Sequence, residues 1–153
     1  SGNVFDIGMT FNAGATASVT SITLAINGSM ASGMKASLYT LSGGLPGSLL
    51  ESNLSTTNVS GLFTISGSGS VLNNGTDYML VMSAVNPAES TGWCFTSPQV
   101  DLPGAFRFNN GAWNGTMFQP ASVFRIEGNP VPEPATLALI GAGLAAFARR
   151  RRA

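Results

Sequence analysis

This sequence predicts an all-β fold, an antiparallel β-sandwich or jelly roll with a C-terminal hydrophobic helix. Three observations carry that expectation. Apolar residues alternate with period two in short runs, Asn-Gly and Gly-rich breakers separate the runs, and the final 23 residues change character abruptly.

The runs come in order along the chain. In "SITLAI" the residues Ile22, Leu24 and Ile26 share one face, with Ser21, Thr23 and Ala25 on the other. "KASLYTL" sets Tyr39 and Leu41 on one side and Leu38 on the opposite one. "DYMLVMSAV" is apolar throughout and of strand length, as a central strand covered on both faces would be. "ASVFRIEG" alternates Val123 and Arg125 against Phe124 and Ile126. Between them stand "NGS" at Asn27, "SGGLPGS" at Ser42, "SGSGS" at Ser66, "NNGT" at Asn73 and "NNGAWNGT" at Asn109. Asn and Gly tolerate the positive φ angles that tight hairpins demand, so each breaker reads as a turn. No stretch of the body combines helical periodicity with caps.

Composition narrows the function. Charged residues make up 9% of the chain, against about 25% in an average domain, so Ser, Thr, Asn and Gly must wet the surface. The body carries Lys35, Arg107 and Arg125 against Asp6, Glu51, Asp77, Glu89, Asp101 and Glu127, while the tail carries four arginines against Glu133. An acidic body has nothing with which to neutralise phosphates, which excludes nucleic acid as a partner. The single cysteine, Cys94, forbids an intrachain disulfide and reads as a small buried apolar residue, with a reactive thiol or an intermolecular bridge as the alternatives. The chain opens on Ser1 without Met, a basic n-region or an apolar h-region, as a processed form or a fragment does.

Chemistry is scarce. The chain has no histidine, which removes Ser-His-Asp and Cys-His systems and most zinc sites. No Asp-x-Asp calcium loop is present, "SGSGS" lacks the Lys of a phosphate loop, and no cofactor or metal is expected. A carboxylate pair for glycoside hydrolysis would have to come from scattered acids, with Asp77 and Glu89 near strand ends; solvated loop acids are the alternative. Trp93 in "TGWCF" and Trp113 in "NNGAWNGT" lie in turn-like segments beside Asn and Gly. They are the candidates for stacking on sugar rings, with core or corner packing as the alternative. The body is expected to be non-enzymatic.

The tail is "VPEPATLALIGAGLAAFARRRRA", from Val131 to Ala153. Pro132 and Pro134 forbid regular helix and keep Val131, Pro132, Glu133 and Pro134 extended. Residues 135–148 carry no charge; as a helix they span roughly 21 Å, short of the roughly 30 Å hydrocarbon layer. Arg149, Arg150, Arg151 and Arg152 follow, whose stems extend the span by snorkelling and whose charge keeps that end cytoplasmic. The expected organisation is a sandwich over 1–128, a linker with the Pro-Glu-Pro motif over 129–134, and a single transmembrane-like helix with an Arg-rich end over 135–153.

An extended Pro-Glu-Pro element, an apolar run and a terminal Arg cluster, in that order, resemble the PEP-CTERM sorting signal. The resemblance covers the last 23 residues or so. It implies a substrate of a membrane-embedded exosortase, anchored transiently in the inner membrane, cut near Pro-Glu-Pro and passed to the cell surface or the exopolysaccharide matrix of a biofilm. An uncleaved tail anchor and a packed C-terminal helix are the alternatives. In the body, "VTSITLAINGSMASGMKASLYTLSGGLPGSLL" and "LNNGTDYMLVMSA" resemble the exported β-sandwiches called choice-of-anchor domains, a resemblance that brings no catalytic site.

Overall fold

The computed structural model describes residues 5–55, 58–86, 89, 92–94, 101–120 and 122–132. They form eleven strands and, among the described residues, no helix. The strands are β1 (Phe5–Asn12), β2 (Ala17–Met30), β3 (Met34–Ser42), β4 (Leu45–Ser55), β5 (Val59–Ser66) and β6 (Val71–Leu72). They continue with β7 (Asp77–Ala84), β8 (Gly92–Trp93), β9 (Asp101–Phe108), β10 (Asn114–Pro120) and β11 (Phe124–Pro130).

All pairings are antiparallel. One sheet has the order β10-β9-β1-β7-β3-β4; the other runs β11-β2-β5, with β6 and β8 also pairing to β2. Their inner faces share one core. Met9, Met34, Ala36, Leu38, Tyr78, Leu80 and Met82 come from the first sheet, and Val19, Ile22, Leu24, Ile26, Val59, Ile65 and Leu72 from the second. The period-two expectation for Ile22, Leu24 and Ile26 therefore holds, since all three lie on the core side.

β7 is central and covered twice. Tyr78, Leu80 and Met82 face the inter-sheet core, while Met79 and Val81 turn to the outer face of the large sheet. There they meet a second cluster with Ala105, closed by Tyr39, Leu41, Leu45 and Trp113. This explains why "DYMLVMSAV" shows no alternation. It also explains the split in β3, where Leu38 joins the inner core and Tyr39 and Leu41 the outer cluster.

Two breakers behave differently from one another. At "NNGAWNGT", Asn109 and Asn110 adopt φ of 51° and 56°, and Gly111 N donates to Phe108 O at 2.8 Å, which is a type I′ turn. At "NGS" the expected turn is absent. β2 runs through it, and the register with β5 shifts between Ile26 and Ser29. Gly28 at φ 99° absorbs the extra residues as a bulge. A single positive-φ glycine within a long strand is accommodated by a bulge, because both flanks remain paired.

Candidate functional site

Two places matter: the junction between the sandwich and its tail, and the outer face of the large sheet where Trp113 lies.

The junction is built by β11. Phe124 and Ile126 pack on the core, Arg125 and Glu127 face outward and pair with each other, and Ser21 Oγ donates to Glu127 Oε2 at 3.1 Å. A register shift between Glu127 and Gly128 then lets the strand continue along β2, setting Gly128 opposite Val19, Asn129 opposite Ser18 and Pro130 opposite Ala17. Gly128 approaches so closely that a Cβ there would stand 2.6 Å from Ser18 O. Beyond the strand, Val131 N donates to Thr16 O at 3.1 Å, and Pro132 is exposed. Residues 129 and 130, expected as the start of the linker, are the last two of β11. Glu133, Pro134, the expected helix over 135–153 and the stop at Arg149, Arg150, Arg151 and Arg152 lie outside the described residues. Among the described residues no helix is long and apolar enough to cross a membrane.

On the large sheet, the β1–β9 register sets Asp6 opposite Arg107. Arg107 Nε donates to Asp6 Oδ2 at 2.6 Å, and the guanidinium carbon stands 4.7 Å from the Trp113 ring centroid. Asp6 is 2% exposed, and its Oδ1 has no hydrogen-bond partner among the described residues. Trp113 is half-buried, with Arg107 over one face and the outer cluster against it. Trp93 pairs by its backbone with Ile26, and its side chain lies outside the described residues.

The acids do not converge. Asp77 accepts from Asn12 Nδ2 at 2.7 Å where β7 begins, while Glu89 follows the far end of that strand, so the length of β7, about 23 Å, separates their attachment points. Glu89 accepts from Ser32 Oγ at 2.7 Å and from Ser32 N at 3.1 Å. The Ser32 hydroxyl, then the Ser32 amide, holds its carboxyl below the usual glutamate range. Buried Glu51 accepts from Asn53 Nδ2 at 2.6 Å, Ser68 Oγ at 3.0 Å and Ser70 N at 3.0 Å. These carboxylates fasten turns to strands. Among the described residues no group of three His, Cys, Asp or Glu side chains could hold a metal. Cys94 is a free thiol, half-buried, whose amide donates to Ala25 O at 2.9 Å.

The sequence alone does not show the Asp6–Arg107–Trp113 arrangement, since Asp6 lies 101 residues from Arg107. In "FDIGMTFN", Phe5, Ile7, Met9 and Phe11 alternate with Asp6, Gly8, Thr10 and Asn12, which marks β1 as a strand but not which strands flank it.

Comparison with curated proteins and with solved structures returns no match. The PEP-CTERM protein-sorting motif matches residues 130–152, beginning on the last residue of β11, and this chain is accordingly recognised as carrying the C-terminal signal of an exosortase substrate.

Proposed function

We propose that this chain is a non-enzymatic β-sandwich that holds a membrane transiently by residues 135–148, is cut by an exosortase near Pro134, and is delivered to the cell surface or the exopolysaccharide matrix. In this reading Val131, Pro132, Glu133 and Pro134 are the recognition element and Arg149 to Arg152 the cytoplasmic stop. The observation that supports it is the sorting-motif match over residues 130–152, attached directly to the last strand. Intact-mass analysis of surface-released protein from the native host tests it. A C-terminus near Pro134 supports processing, released protein retaining its arginines refutes it, and intact protein found only in the membrane fraction leaves the uncleaved tail anchor. Glu133→Ala, or deletion of the four arginines, is expected to give unprocessed or mislocalised protein.

A second reading makes the body a carbohydrate-binding module of the matrix. What favours it is the half-buried Trp113, set in a turn with the exposed amides of Asn110 and Asn114. Arg107 already covers one ring face, so a glycan would meet the ring's open side and the amides. Binding to exopolysaccharide that survives Trp113→Ala unchanged refutes this reading.

A further inference from the structure

The end of the sandwich from which the tail leaves contains a cleft of about 400 Å³. Its walls are Phe11, Val19, Leu72, Phe124 and Ile126, with the alanines of the β1–β2 turn, Ala13, Ala15 and Ala17, at its mouth. Phe11 meets Phe124 edge-on at 5.7 Å and Tyr78 at 5.9 Å, so the aromatic wall is braced. The mouth is braced as well. Gly75 N donates to Ala13 O at 2.7 Å, Ala13 N donates to Thr76 O at 3.0 Å, and Asn74 N donates to Thr16 Oγ1 at 3.1 Å. The cleft is mainly apolar, with Asn12 and Glu127 as its polar lining, and its volume falls within the roughly 300–1,000 Å³ of small-molecule sites.

The chemistry of the rim selects the ligand. The carboxylates nearest the mouth are already engaged, Asp77 by Asn12 and Glu127 by Arg125 and Ser21. Among the described residues no cation lines the cleft, and the one charged side chain that does, Glu127, is already paired, so a charged head group finds no free counter-charge there. The position is equally particular. Glu127 and Gly128 of β11 line the cleft, and Val131 is bonded to Thr16 beside its mouth. The apolar run of 135–148 begins four residues after Val131.

We infer that this cleft binds the acyl chain of a neutral or zwitterionic amphiphile. Its position beside the tail makes a bilayer lipid the natural source, a point that rests on the sorting reading; the acyl-chain chemistry does not.

The test is a titration of the isotope-labelled full chain with dodecylphosphocholine below its micellar concentration, followed by methyl resonances. Val19, Leu72 and Ile126 are expected to shift together and saturate. Gly14 lines the cleft, and a Cβ built there meets nothing within 4 Å, so Gly14→Phe introduces its side chain from an open position. It is expected to weaken binding by about tenfold or more. Ala15→Trp is a second blocker, and Leu62→Ser, at an exposed position on β5, is expected to change nothing. Native dispersion of the Leu80 methyl signals certifies that each variant is folded. If the same methyls also respond to phosphatidylcholine vesicles, the source is the bilayer; response to the monomer alone assigns a free amphiphile. Shifts that are absent, fail to saturate or ignore both blockers overturn the inference. So does uptake that appears only when the chain is shortened to Pro134, since the tail itself would then be the occupant. None of these outcomes alters the mass of the released protein, so the sorting reading stands or falls separately.

Discussion

The guanidinium of Arg107 stands 4.7 Å from the centroid of the Trp113 ring. Its Nε simultaneously holds the carboxylate of Asp6, so one side chain links the start of the chain, β9 and the turn before β10. The partners differ in exposure, with side chains 22% exposed for Arg107 and 2% for Asp6. Removing the cation strands a buried anion, whereas removing the anion leaves a cation that water can reach. Arg107→Met is therefore expected to cost about 3–5 kcal/mol, and Asp6→Asn distinctly less. Urea denaturation of both variants checks the order; equal losses would refute the asymmetry.

The two-sided cover of β7 makes a second prediction. Leu80→Ala opens the inter-sheet core and is expected to cost about 2–5 kcal/mol. Val81→Ala acts on the outer cluster and is also expected to destabilise clearly, because Val81 is 1% exposed although it lies on the outside of the sheet. Leu62→Ser on the solvated face of β5 is expected to stay within about 0.5 kcal/mol. Thermal denaturation of the three variants separates a covered outer face from a bare one.

Glu89 ties the segment after β7 to the β2–β3 turn through Ser32. Both Ser32 bonds favour the charged carboxylate and depress its folded pKa. The stabilisation is thus present above the unfolded value and lost as pH falls through the folded one. A carboxyl NMR titration is expected to place Glu89 below ordinary glutamates, and Ser32→Ala to move it upward. No movement in Ser32→Ala would break the link.

Gly128 is the tight point of the junction. A Cβ there, 2.6 Å from Ser18 O and 3.1 Å from Ala17 Cβ, must push β11 away from β2. Gly128→Ala is expected to cost about 1–3 kcal/mol. Amide exchange should quicken at Val131, whose amide donates to Thr16 O, while Leu80 stays protected. Unchanged exchange at Val131 would show that the junction does not depend on this contact.

Much of the architecture was legible because burial leaves a period in the sequence. Ile22, Leu24 and Ile26 alternate since one face of β2 is wet, and residues 78–82 do not alternate since neither face of β7 is. The bulge at Gly28 was not legible, because "NGS" carries the same local preference whether the chain reverses or merely bends. Asp6 and Arg107 were illegible as a pair for a different reason. Their encounter depends on β1 entering between β7 and β9, and strand order leaves no local trace. The sorting signal was the most legible part, since it is written in consecutive residues.

That strand order bears on when the body can take shape. β1 is flanked by β7 and β9, and β2 by β5 and β11, so both N-terminal strands wait for neighbours from the other end of the chain. For a polypeptide threaded outward N-terminus first, the large sheet gains its last strand only when residue 120 has emerged, and the small sheet only at residue 130. Such distant pairing is slow to nucleate, which would keep a chain so threaded pliable in transit and defer its setting until it had crossed.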